Sequence, residues 1–383
     1  MKKAVVVGGS NGIGLAIVKK LISMEYHVII MDIVEPDISA DMDSTSYTFT
    51  KCNLLDFDDS VFEELSKDTE VELLMITAGF GRVSALEYIH PAEIQNIMQV
   101  NAISEMKIIR YFYERIRSKE RFYCGIMGSV AGLISSPLFS VYAASKAAIC
   151  RYVESINIEL EMSGTGNRIL NVSPASVKGT KFNGGKNDIS ALDELSQKIL
   201  DNLVTSKELY IPQYEETFKK VIDNYHSDPH GYGIHSYEYK MNSGRVSAET
   251  KVRIGYLSGT FDLFHVGHLN LLRRAKAECD YLIVGVHPNA AHKGKETFIP
   301  FEERMEIVKS CRYVDKVIES CPEDCDVWDM YHYTKLFVGS DYKGTERFNR
   351  YEEYFKDKGV EIVYFPYTKG TSSTQIRDSI NKS

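Results

Sequence analysis

Two side chains that can exchange a proton lie four residues apart in the stretch YAASK, residues 142–146. At this spacing Tyr142 and Lys146 share one face of a helix, and an ammonium beside a phenol lowers the pKa of the phenol toward the range useful for proton transfer. Three further Tyr-x-x-x-Lys pairs begin at residues 47, 331 and 354, and we attribute them to chance. Tyr142 differs from them because Ser129 ends an apolar stretch just upstream, at the sheet edge where such folds bind ligands.

Two histidines lie three residues apart in GTFDLFHVGH, residues 259–268. At the start of a helix, His265 and His268 can both point at an anion held over the backbone amides. A zinc site would need a third ligand, and the neighbouring Asp262 and Gly267 fit a phosphate chain better. The motif therefore predicts phosphate chemistry rather than metal ligation.

Several cations follow this motif at predicted loops and strand ends. Taken singly, each is best interpreted as a solvated surface charge. Their shared position beside the predicted carboxyl ends of strands nevertheless predicts a phosphate-binding cluster. These residues are Lys293, Lys295, Arg304, Arg312 and Arg377.

A second phosphate-binding pattern, GGSNGIG at residues 8–14, follows a predicted strand and opens a predicted helix. Gly8 permits the tight turn, Gly12 lets a pyrophosphate approach the backbone, and Gly14 lets helix and strand pack closely. Asp32 ends the next strand, eighteen residues after Gly14, where an acid can bind the adenosine ribose hydroxyls. Its charge would repel a 2′-phosphate, so NAD(H) is favoured over NADP(H). A solvated carboxylate at a strand end is the alternative.

Short apolar runs alternate with amphipathic helical stretches along most of the chain. This alternation predicts an α/β fold of two doubly wound parallel-sheet (Rossmann-like) domains in tandem. We predict the domains at 1–240 and 251–383, with a linker at 241–250. The predicted strands are 4–9, 27–33, 72–79, 122–129, 168–174 and 209–212 in the first domain, and 252–260, 281–287, 314–318, 335–341 and 360–366 in the second.

The polar segment 223–250 is rich in Gly, Ser and Tyr, and its composition predicts an extended tail or linker. Three histidines in it could line a phosphate or metal site, but a flexible segment is the favoured interpretation. These are His226, His230 and His235.

The composition is that of an ordinary globular chain of 383 residues, with a net charge of −8 and 44% hydrophobic residues. An acidic chain without a Lys/Arg-rich run argues against nucleic-acid binding, and no apolar run reaches the length of a membrane span. The start runs directly into a strand without a cleavage site, and seven irregularly spaced cysteines predict free thiols, so we expect a cytoplasmic protein. Cys321 and Cys325 lack a second pair, and no metal site is predicted.

Residues 1 to about 220 resemble the short-chain dehydrogenase/reductase family. The motifs VGGSNGIG, TAG at 77–79, Asn101, Ser129 and YAASK occur in the family's order. The resemblance implies that Tyr142 is the general acid for carbonyl reduction and that Ser129 hydrogen-bonds the carbonyl oxygen. It also implies that Lys146 holds the nicotinamide ribose and that Asn101 sustains the proton relay.

The same resemblance implies which residues hold the dinucleotide. They are Gly8, Ser10, Asn11, Gly12, Ile13, Gly14, Asp32, Asn53, Leu54, Ala78, Gly79 and Thr180. The sequence departs from the family at Ile76 and Thr77, where two asparagines are usual, at Asn53, often an aspartate, and at Ala175, usually a glycine. These departures bear on sheet stability and cofactor affinity more than on chemistry.

Residues 252–381 resemble the HxGH nucleotidyltransferases, and within them the glycerol-3-phosphate cytidylyltransferase group. The motifs are GTFDLFHVGH, RYVD at 312–315, GSDYKG at 339–344 and GTSSTQIRD at 370–378, with Thr371 and Ser373 as mild departures. RYVD and the closing Ser/Thr run favour CTP over adenylyl transfer.

This second resemblance implies that His265 and His268 stabilise the α-phosphate of CTP while a substrate phosphate attacks it, with Mg²⁺ screening the triphosphate. Arg312 would hold the nucleotide or the pyrophosphate. Further contacts to the nucleotide would come from Gly259, Thr260, Phe261, Asp262, Gly267, Lys293, Lys295, Ser372, Thr374 and Arg377.

Together the two halves predict a bifunctional enzyme that reduces a ketose phosphate with NAD(P)H and then forms a CDP-alditol, such as CDP-ribitol or CDP-glycerol, for teichoic acid or capsule synthesis. Two alternatives stay open: a cytidylyltransferase for another phospho-alcohol is fused to a reductase that acts on a different sugar, or it is fused to a non-catalytic reductase fold that only senses NAD or oligomerises. Both families commonly associate, so we expect a homodimer or homotetramer that binds small molecules and neither nucleic acid nor membranes.

Overall fold

The computed structural model describes residues 2–37, 45–180, 182, 187–246, 252–289, 296–366 and 375–376. The chain divides into two compact units, Met1–Glu249 and Thr250–Ser383. Each unit is built on a parallel sheet, which confirms the predicted tandem of doubly wound α/β domains. In the described part of the chain, no helix combines the length and the apolar character needed to cross a membrane.

The first unit contains a sheet of seven parallel strands. They are β1 (Lys3–Val7), β2 (His27–Asp32), β3 (Tyr47–Lys51), β4 (Val71–Ile76), β5 (Tyr123–Met127), β6 (Ile169–Val172) and β7 (Leu209–Tyr210). Their order across the sheet is β3-β2-β1-β4-β5-β6-β7. Along β1, Val5 and Val7 belong to the apolar core on one face of the sheet, and Ala4 and Val6 to the core on the other. A strand covered on both faces is apolar throughout, which is why the sequence predicts the central strands well.

Edge strand β3 is absent from the predicted set. Its sequence, YTFTK, has no fully buried residue, because a strand at the edge of the sheet is only partly covered. Thr48 and Lys51 are exposed, so the apolar run that marks the other strands is missing here.

Helices cover both faces of this sheet. They are α1 (Gly12–Ser23), α2 (Asp59–Lys67), α3 (Pro91–Met98), α4 (Glu105–Arg117), α5 (Ser140–Met162), α6 (Asp193–Val204), α7 (Lys219–Ser227) and α8 (Pro229–Asn242). A π-helical segment, Gln99–Ser104, joins α3 to α4 and contains Asn101. Such π-helical turns are frequent at functional sites.

The order of the strands reverses between β1 and β4, and ligands of such sheets bind at the carboxyl edge beside this point. Val7, the last residue of β1, pairs with Met31 of β2 and with Ile76 of β4. The residues that follow these three strands therefore meet at one edge. This places the glycine loop (residues 8–14), Asp32 and the TAG segment (residues 77–79) together.

The prediction that residues 223–250 form an extended linker is wrong for most of that segment, which lies in α7 and α8. Pro229 occupies the first turn of α8, and the Asp228 carboxylate accepts a hydrogen bond from the Gly231 amide, so a cap begins this helix. The Lys240 ammonium anchors the far end by donating to Ser136 Oγ at 2.7 Å and to the Pro137 carbonyl at 2.8 Å. Tertiary contacts thus override a composition typical of a loop.

The second unit contains five parallel strands in the order β10-β9-β8-β11-β12. They are β8 (Ile254–Gly259), β9 (Tyr281–Val286), β10 (Lys316–Glu319), β11 (Lys335–Gly339) and β12 (Glu361–Phe365). The helices are α9 (Val266–Ala277), α10 (Phe301–Lys309), α11 (Asp324–Tyr331) and α12 (Glu346–Phe355). Helix α11 is not predicted from the sequence, because only Asp324 and Val327 of its eight residues are buried and the apolar periodicity is correspondingly weak.

Two buried charged side chains hold the loop that follows β8. Arg304 of α10 is 0% exposed, and its guanidinium donates to the carbonyls of Thr260, His287, Pro288 and Ile299. The Asp262 carboxylate accepts hydrogen bonds from the Phe298 and Ile299 amides at 2.9–3.1 Å. The interpretation of Arg304 as a surface or phosphate-binding cation is therefore wrong: its donors are used within the fold.

We predict that Arg304→Lys destabilises the second unit by about 3 kcal/mol, because an ammonium cannot reach all four carbonyls and buried acceptors lose their partners. The single tryptophan of the chain, Trp328, lies in this unit, so urea unfolding followed by tryptophan fluorescence reports it selectively. Arg350→Lys, at an arginine whose side chain is 64% exposed, is the matched control. Equal unfolding midpoints for the two variants would contradict the assignment.

Candidate functional site

The glycine loop of the first unit contains positions that admit no side chain. Gly8 has a φ of +83°, and a methyl group added there would lie 2.5 Å from the Ala78 amide nitrogen. A methyl group at Gly14 would lie 2.1 Å from the Gly8 carbonyl oxygen. The first turn of α1 therefore packs directly on the end of β1, and its amides lie at the carboxyl edge of the sheet.

Several polar groups of this loop fit a dinucleotide. The Ser10 hydroxyl is buried and has no hydrogen-bond partner among the described residues. The Gly12 amide, with a φ of +53°, donates to Asn187 Oδ1 at 2.9 Å, where an amide oxygen stands in for the phosphate oxygen expected from the sequence. The Thr180 methyl group lies 3.5 Å from the position of a side chain at Gly12. These donors suit a pyrophosphate.

Asp32 lies at the end of β2 in a fixed orientation. Its carboxylate accepts hydrogen bonds from the Ser10 amide at 2.9 Å and from the Ile33 amide at 2.7 Å. These bonds connect the strand end to the glycine loop, so the negative charge lies beside the expected adenosine site.

The segment after β4 compensates for its departure from the family pattern. The Thr77 hydroxyl donates to the carbonyls of Val7 and Gly8 at 3.0 and 2.9 Å, and so joins β4 to the start of the glycine loop. A side chain at Gly79 would lie 3.4 Å from both Asn101 Oδ1 and Lys146 Nζ, so these groups converge there.

Asn53 and Leu54 follow β3 and differ in environment. Asn53 is exposed, and its side-chain oxygen accepts from the Leu55 amide at 3.1 Å. Leu54 is buried, and its carbonyl accepts from the Ser104 hydroxyl at 2.8 Å. Their roles toward a cofactor, like those of Asn11, Ile13 and Ala78, stay predictions.

The four residues predicted to catalyse reduction are all buried in the first unit. Asn101 lies in the π-helical segment and exchanges two hydrogen bonds with the Phe80 backbone, at 3.0 and 2.8 Å. The Ser129 hydroxyl donates to the Pro174 carbonyl at 3.3 Å and also contacts the Tyr142 hydroxyl. Lys146 donates to the Met127 carbonyl at 2.8 Å.

Tyr142 lies in an apolar environment that the sequence does not reveal. Phe139 stacks on its ring at a centroid distance of 4.3 Å, and Phe182 packs edge-on at 5.2 Å. Burial raises the pKa of Tyr142, while Lys146 and the Ser129 hydrogen bond lower it. The effect of Lys146 has the direction expected from the sequence, but burial is the larger cause, so the pKa of Tyr142 is raised overall.

The loop after β8 has a different geometry from the glycine loop. Phe261 and Leu263 both have φ near +52°, an unfavourable conformation for residues with side chains. Gly259 accommodates the Phe261 ring, which would lie 2.9 Å from a side chain at that position. The Thr260 hydroxyl is buried and has no hydrogen-bond partner among the residues described, so it is available to a bound phosphate.

His265 and His268 are brought together at the start of α9, with ring centroids 4.1 Å apart. His265 is the N-cap residue, and its Nδ1 accepts a hydrogen bond from the Gly267 amide at 3.0 Å. A nitrogen that accepts cannot carry the proton, so the neutral imidazole has its proton on Nε2. Burial lowers the pKa of His265. Phe261 and Phe264 pack against the His268 ring.

Arg312 does not lie where the sequence predicts it. It belongs to the loop that enters β10 at its amino end, whereas the loop with His265 follows the carboxyl end of β8. In a parallel sheet these are opposite edges. Other predicted contacts lie outside the described residues: Lys293, Lys295, Ser372, Thr374 and Arg377.

Two charged residues of the first unit are missing from the sequence-based prediction. Glu105 contacts Lys146, and Lys240 contacts the loop between β5 and α5. Glu105 follows Asn101 by four residues, and a carboxylate on the apolar face of a helix is the signal that could have identified it. Lys240 has no such signal, because its position depends on how α8 folds back.

Comparisons with known proteins agree with this division of the chain. Residues 2–190 match the family model for short chain dehydrogenases, and residues 256–379 match the cytidylyltransferase-like model. The glycerol-3-phosphate cytidylyltransferase of Bacillus subtilis is 38% identical over 126 residues, which are 32% of this chain and 92% of that protein.

The first unit has more distant relatives. The dehydrogenase RED2 of Cochliobolus heterostrophus is 31% identical over 159 residues, and the match spans 41% of this chain and 60% of that protein. A short chain dehydrogenase/reductase from Burkholderia phymatum, solved in complex with NAD, has the same fold, with a TM-score of 0.50 and 18% identity over 59% of this chain and 93% of that one.

The buried tyrosine, lysine and serine of the first unit and the paired histidines of the second thus lie in domains with matching relatives. The chain joins a short-chain dehydrogenase domain to a cytidylyltransferase domain, and through the latter it belongs to the cytidylyltransferase-like family.

Proposed function

We propose that the chain reduces a ketose phosphate with NADH and then couples the resulting alditol phosphate to CTP. The products are a CDP-alditol of the CDP-ribitol or CDP-glycerol type and pyrophosphate. One observation carries the proposal: a reductase domain shares a chain with a relative of an enzyme named for glycerol 3-phosphate. Reduction of a ketone phosphate gives an alcohol phosphate of this kind, so the first product serves as the second substrate. We assign the CDP-alditol to teichoic acid or capsule synthesis.

NADH supplies the hydride for the first reaction when it is bound. Tyr142 donates its hydroxyl proton to the carbonyl oxygen of the ketone, and Ser129 donates a hydrogen bond to the same oxygen. The Lys146 ammonium stabilises the phenolate that remains. Phe139 and Phe182, which pack on the Tyr142 ring, exclude water from the proton transfer.

The second reaction is an in-line displacement at the α-phosphorus of CTP. A phosphate oxygen of the alditol phosphate forms the new bond, the bond to the β-phosphate breaks, and pyrophosphate leaves. His265 donates from Nε2 to the α-phosphate as its charge grows, and His268 acts beside it. The start of α9 adds a partial positive charge, and the Thr260 hydroxyl binds a phosphate oxygen.

Further parts of this assignment come from the sequence. Lys293, Lys295 and Arg377 act on the phosphates, Mg²⁺ screens the triphosphate, and the chain associates into a homodimer or homotetramer.

The phosphate of the ketone needs a cation beside the reductase cleft, and we assign it to Lys240. Both hydrogen-bond acceptors of its ammonium, Ser136 and Pro137, are uncharged, and within the described ranges no carboxylate pairs with it. Burial and the nearby Arg245 lower the pKa of Lys240 to about 8. The loop that Lys240 contacts continues to Phe139, which stacks on the Tyr142 ring, and this connection supports the assignment.

We predict that Lys240→Gln raises the KM for a ketose phosphate at least about tenfold, the usual loss on removing one charge-assisted hydrogen bond. The KM for the corresponding unphosphorylated ketose should not change. Steady-state NADH oxidation with both substrates measures this, and Lys220→Gln, at an exposed lysine of α7, is the control. An equal rise in KM for both substrates would show that Lys240 only anchors α8.

The orientation of Asp32 supports NADH as the preferred cofactor. We expect Asp32→Ser to raise kcat/KM for NADPH relative to NADH by about tenfold or more, because the charge that repels a 2′-phosphate is removed. The two cofactors are compared with the same ketose phosphate. An unchanged ratio would show that Asp32 does not contact the ribose.

The two reactions should fail independently. Tyr142→Phe removes the general acid, so we expect no CDP-alditol from ketose phosphate, NADH and CTP, and undiminished product from the alditol phosphate and CTP. His268→Ala should have the opposite pattern, with NADH oxidation retained and CDP-alditol lost. Product is measured by chromatography. Product formation from the ketone by Tyr142→Phe would refute the reductase assignment, and an unreactive wild type with ribulose 5-phosphate and dihydroxyacetone phosphate would refute the substrate class.

A further inference from the structure

A buried carboxylate lies directly behind the lysine of the reductase site. Glu105 is the first residue of α4 and is 0% exposed, and its Oε1 lies 3.1 Å from Lys146 Nζ. Lys146 is 2% exposed and also donates to the Met127 carbonyl. The Glu105 carboxyl group is therefore in direct contact with the ammonium of the site.

The environment of Glu105 is poorly suited to a purely structural ion pair. Its second oxygen, Oε2, is buried and has no hydrogen-bond partner among the residues that the structure describes. A buried pair stabilises a fold when the remaining lone pairs are satisfied, and here one oxygen is not. Buried groups with incomplete hydrogen bonding are more often retained for function.

We propose that Glu105 is a positioning residue of the reductase: acting through Lys146, it keeps the Tyr142 hydroxyl protonated in alkaline solution. This inference rests on the reductase function proposed above. It assigns to α4 a role in the protonation state of Tyr142 that the Tyr142, Lys146 and Ser129 set does not explain.

Charged and polar groups from three parts of the fold face the Tyr142 hydroxyl. Lys146 and Cys150 of α5, Ser129 after β5, and Glu105 of α4 all act on its hydroxyl. The ammonium and the serine hydrogen bond favour the phenolate, whereas the Glu105 charge disfavours it. A carboxylate in contact with the ammonium reduces the stabilisation that Lys146 gives to the phenolate.

The pH range of this effect depends on the pH at which Glu105 becomes charged. Burial raises the pKa of Glu105 to about 8, and Lys146 opposes that rise. Its negative charge therefore develops above neutral pH, before the Tyr142 hydroxyl, whose pKa is raised by burial, begins to lose its proton. The charge then raises the proton affinity of Tyr142 and extends the range in which Tyr142 can act as an acid.

The sign of the expected change follows. Reduction needs the protonated phenol, so its rate falls as the pH rises through the pKa of Tyr142, while alcohol oxidation needs the phenolate and rises over the same interval. Glu105→Gln removes the negative charge and keeps the size of the side chain. We expect the pKa of Tyr142 to fall, so the pH profiles of both reduction and oxidation move to lower pH. At alkaline pH, kcat/KM for reduction should fall about tenfold, with little change in the KM of the ketone.

The experiment uses the full chain in two measurements. The first is the pH profile of kcat/KM for reduction of ribulose 5-phosphate or dihydroxyacetone phosphate by NADH, in the wild type, Glu105→Gln and Glu105→Asp. The second is titration of the Tyr142 ring carbon by NMR with ¹³C-labelled tyrosine, assigned by its absence in Tyr142→Phe. The titration needs no substrate, so it tests Glu105 even if every ketose phosphate fails to react.

Three outcomes are informative. A lower midpoint for Tyr142 in Glu105→Gln, with partial restoration in Glu105→Asp, supports the proposal. An unchanged or higher midpoint overturns it. Glu93→Gln, which removes another buried carboxylate paired with Arg82 at 2.7 Å, controls for loss of stability. If Glu105→Gln only lowers stability as this control does, with its pH profile unmoved, the pair is structural and the proposal fails.

Discussion

Each domain depends on a very close approach of a helix start to the end of its first strand. In the first domain the approach is possible because Gly14 has no side chain: a methyl group there would overlap the Gly8 carbonyl. The second domain reaches a similar arrangement through Phe261 and Leu263 in left-handed conformations, and Gly259 leaves room for the Phe261 ring. The buried Arg304 supports this loop by donating to the Thr260 carbonyl, and the Asp262 carboxylate connects it to the Ile299 amide. The loop of the first domain thus depends on glycines that have no side chain, and the loop of the second domain depends on two buried charged side chains.

The fold could be predicted from the sequence where one physical signal dominated. Central parallel strands such as β1 and β8 are apolar on both faces, so the pattern of residues alone identifies them. Edge strand β3 lacks that signal because it is only partly covered. Helix α8 was missed for a different reason: its glycines and tyrosines favour a loop, and the Asp228 cap and the Lys240 anchor outweigh that preference. Local composition does not contain these long-range contacts.

The site residues, like the elements of the fold, could be predicted only where the signal lies in neighbouring residues of the sequence. Tyr142 with Lys146, and His265 with His268, are close in sequence, so their spacing already implied that they act together. Glu105 and Arg304 act across the fold, and nothing in their neighbours shows that they are completely buried. Arg312 illustrates the opposite error. Its motif suggested a nucleotide contact, but the direction of β10 places it at the other edge of the sheet.

The contact between Gly12 and Asn187 makes the protein its own competitor for the cofactor. The Gly12 amide has one hydrogen to donate, and Asn187 accepts it. A pyrophosphate oxygen at that amide must displace Asn187, and the neighbouring Asp188, whose backbone amide donates to the Gly179 carbonyl, is tied to the same segment. Cofactor affinity and the position of this segment are therefore thermodynamically linked. By reciprocity, a substrate that drew Asn187 away from Gly12 would strengthen the binding of a pyrophosphate oxygen at this amide.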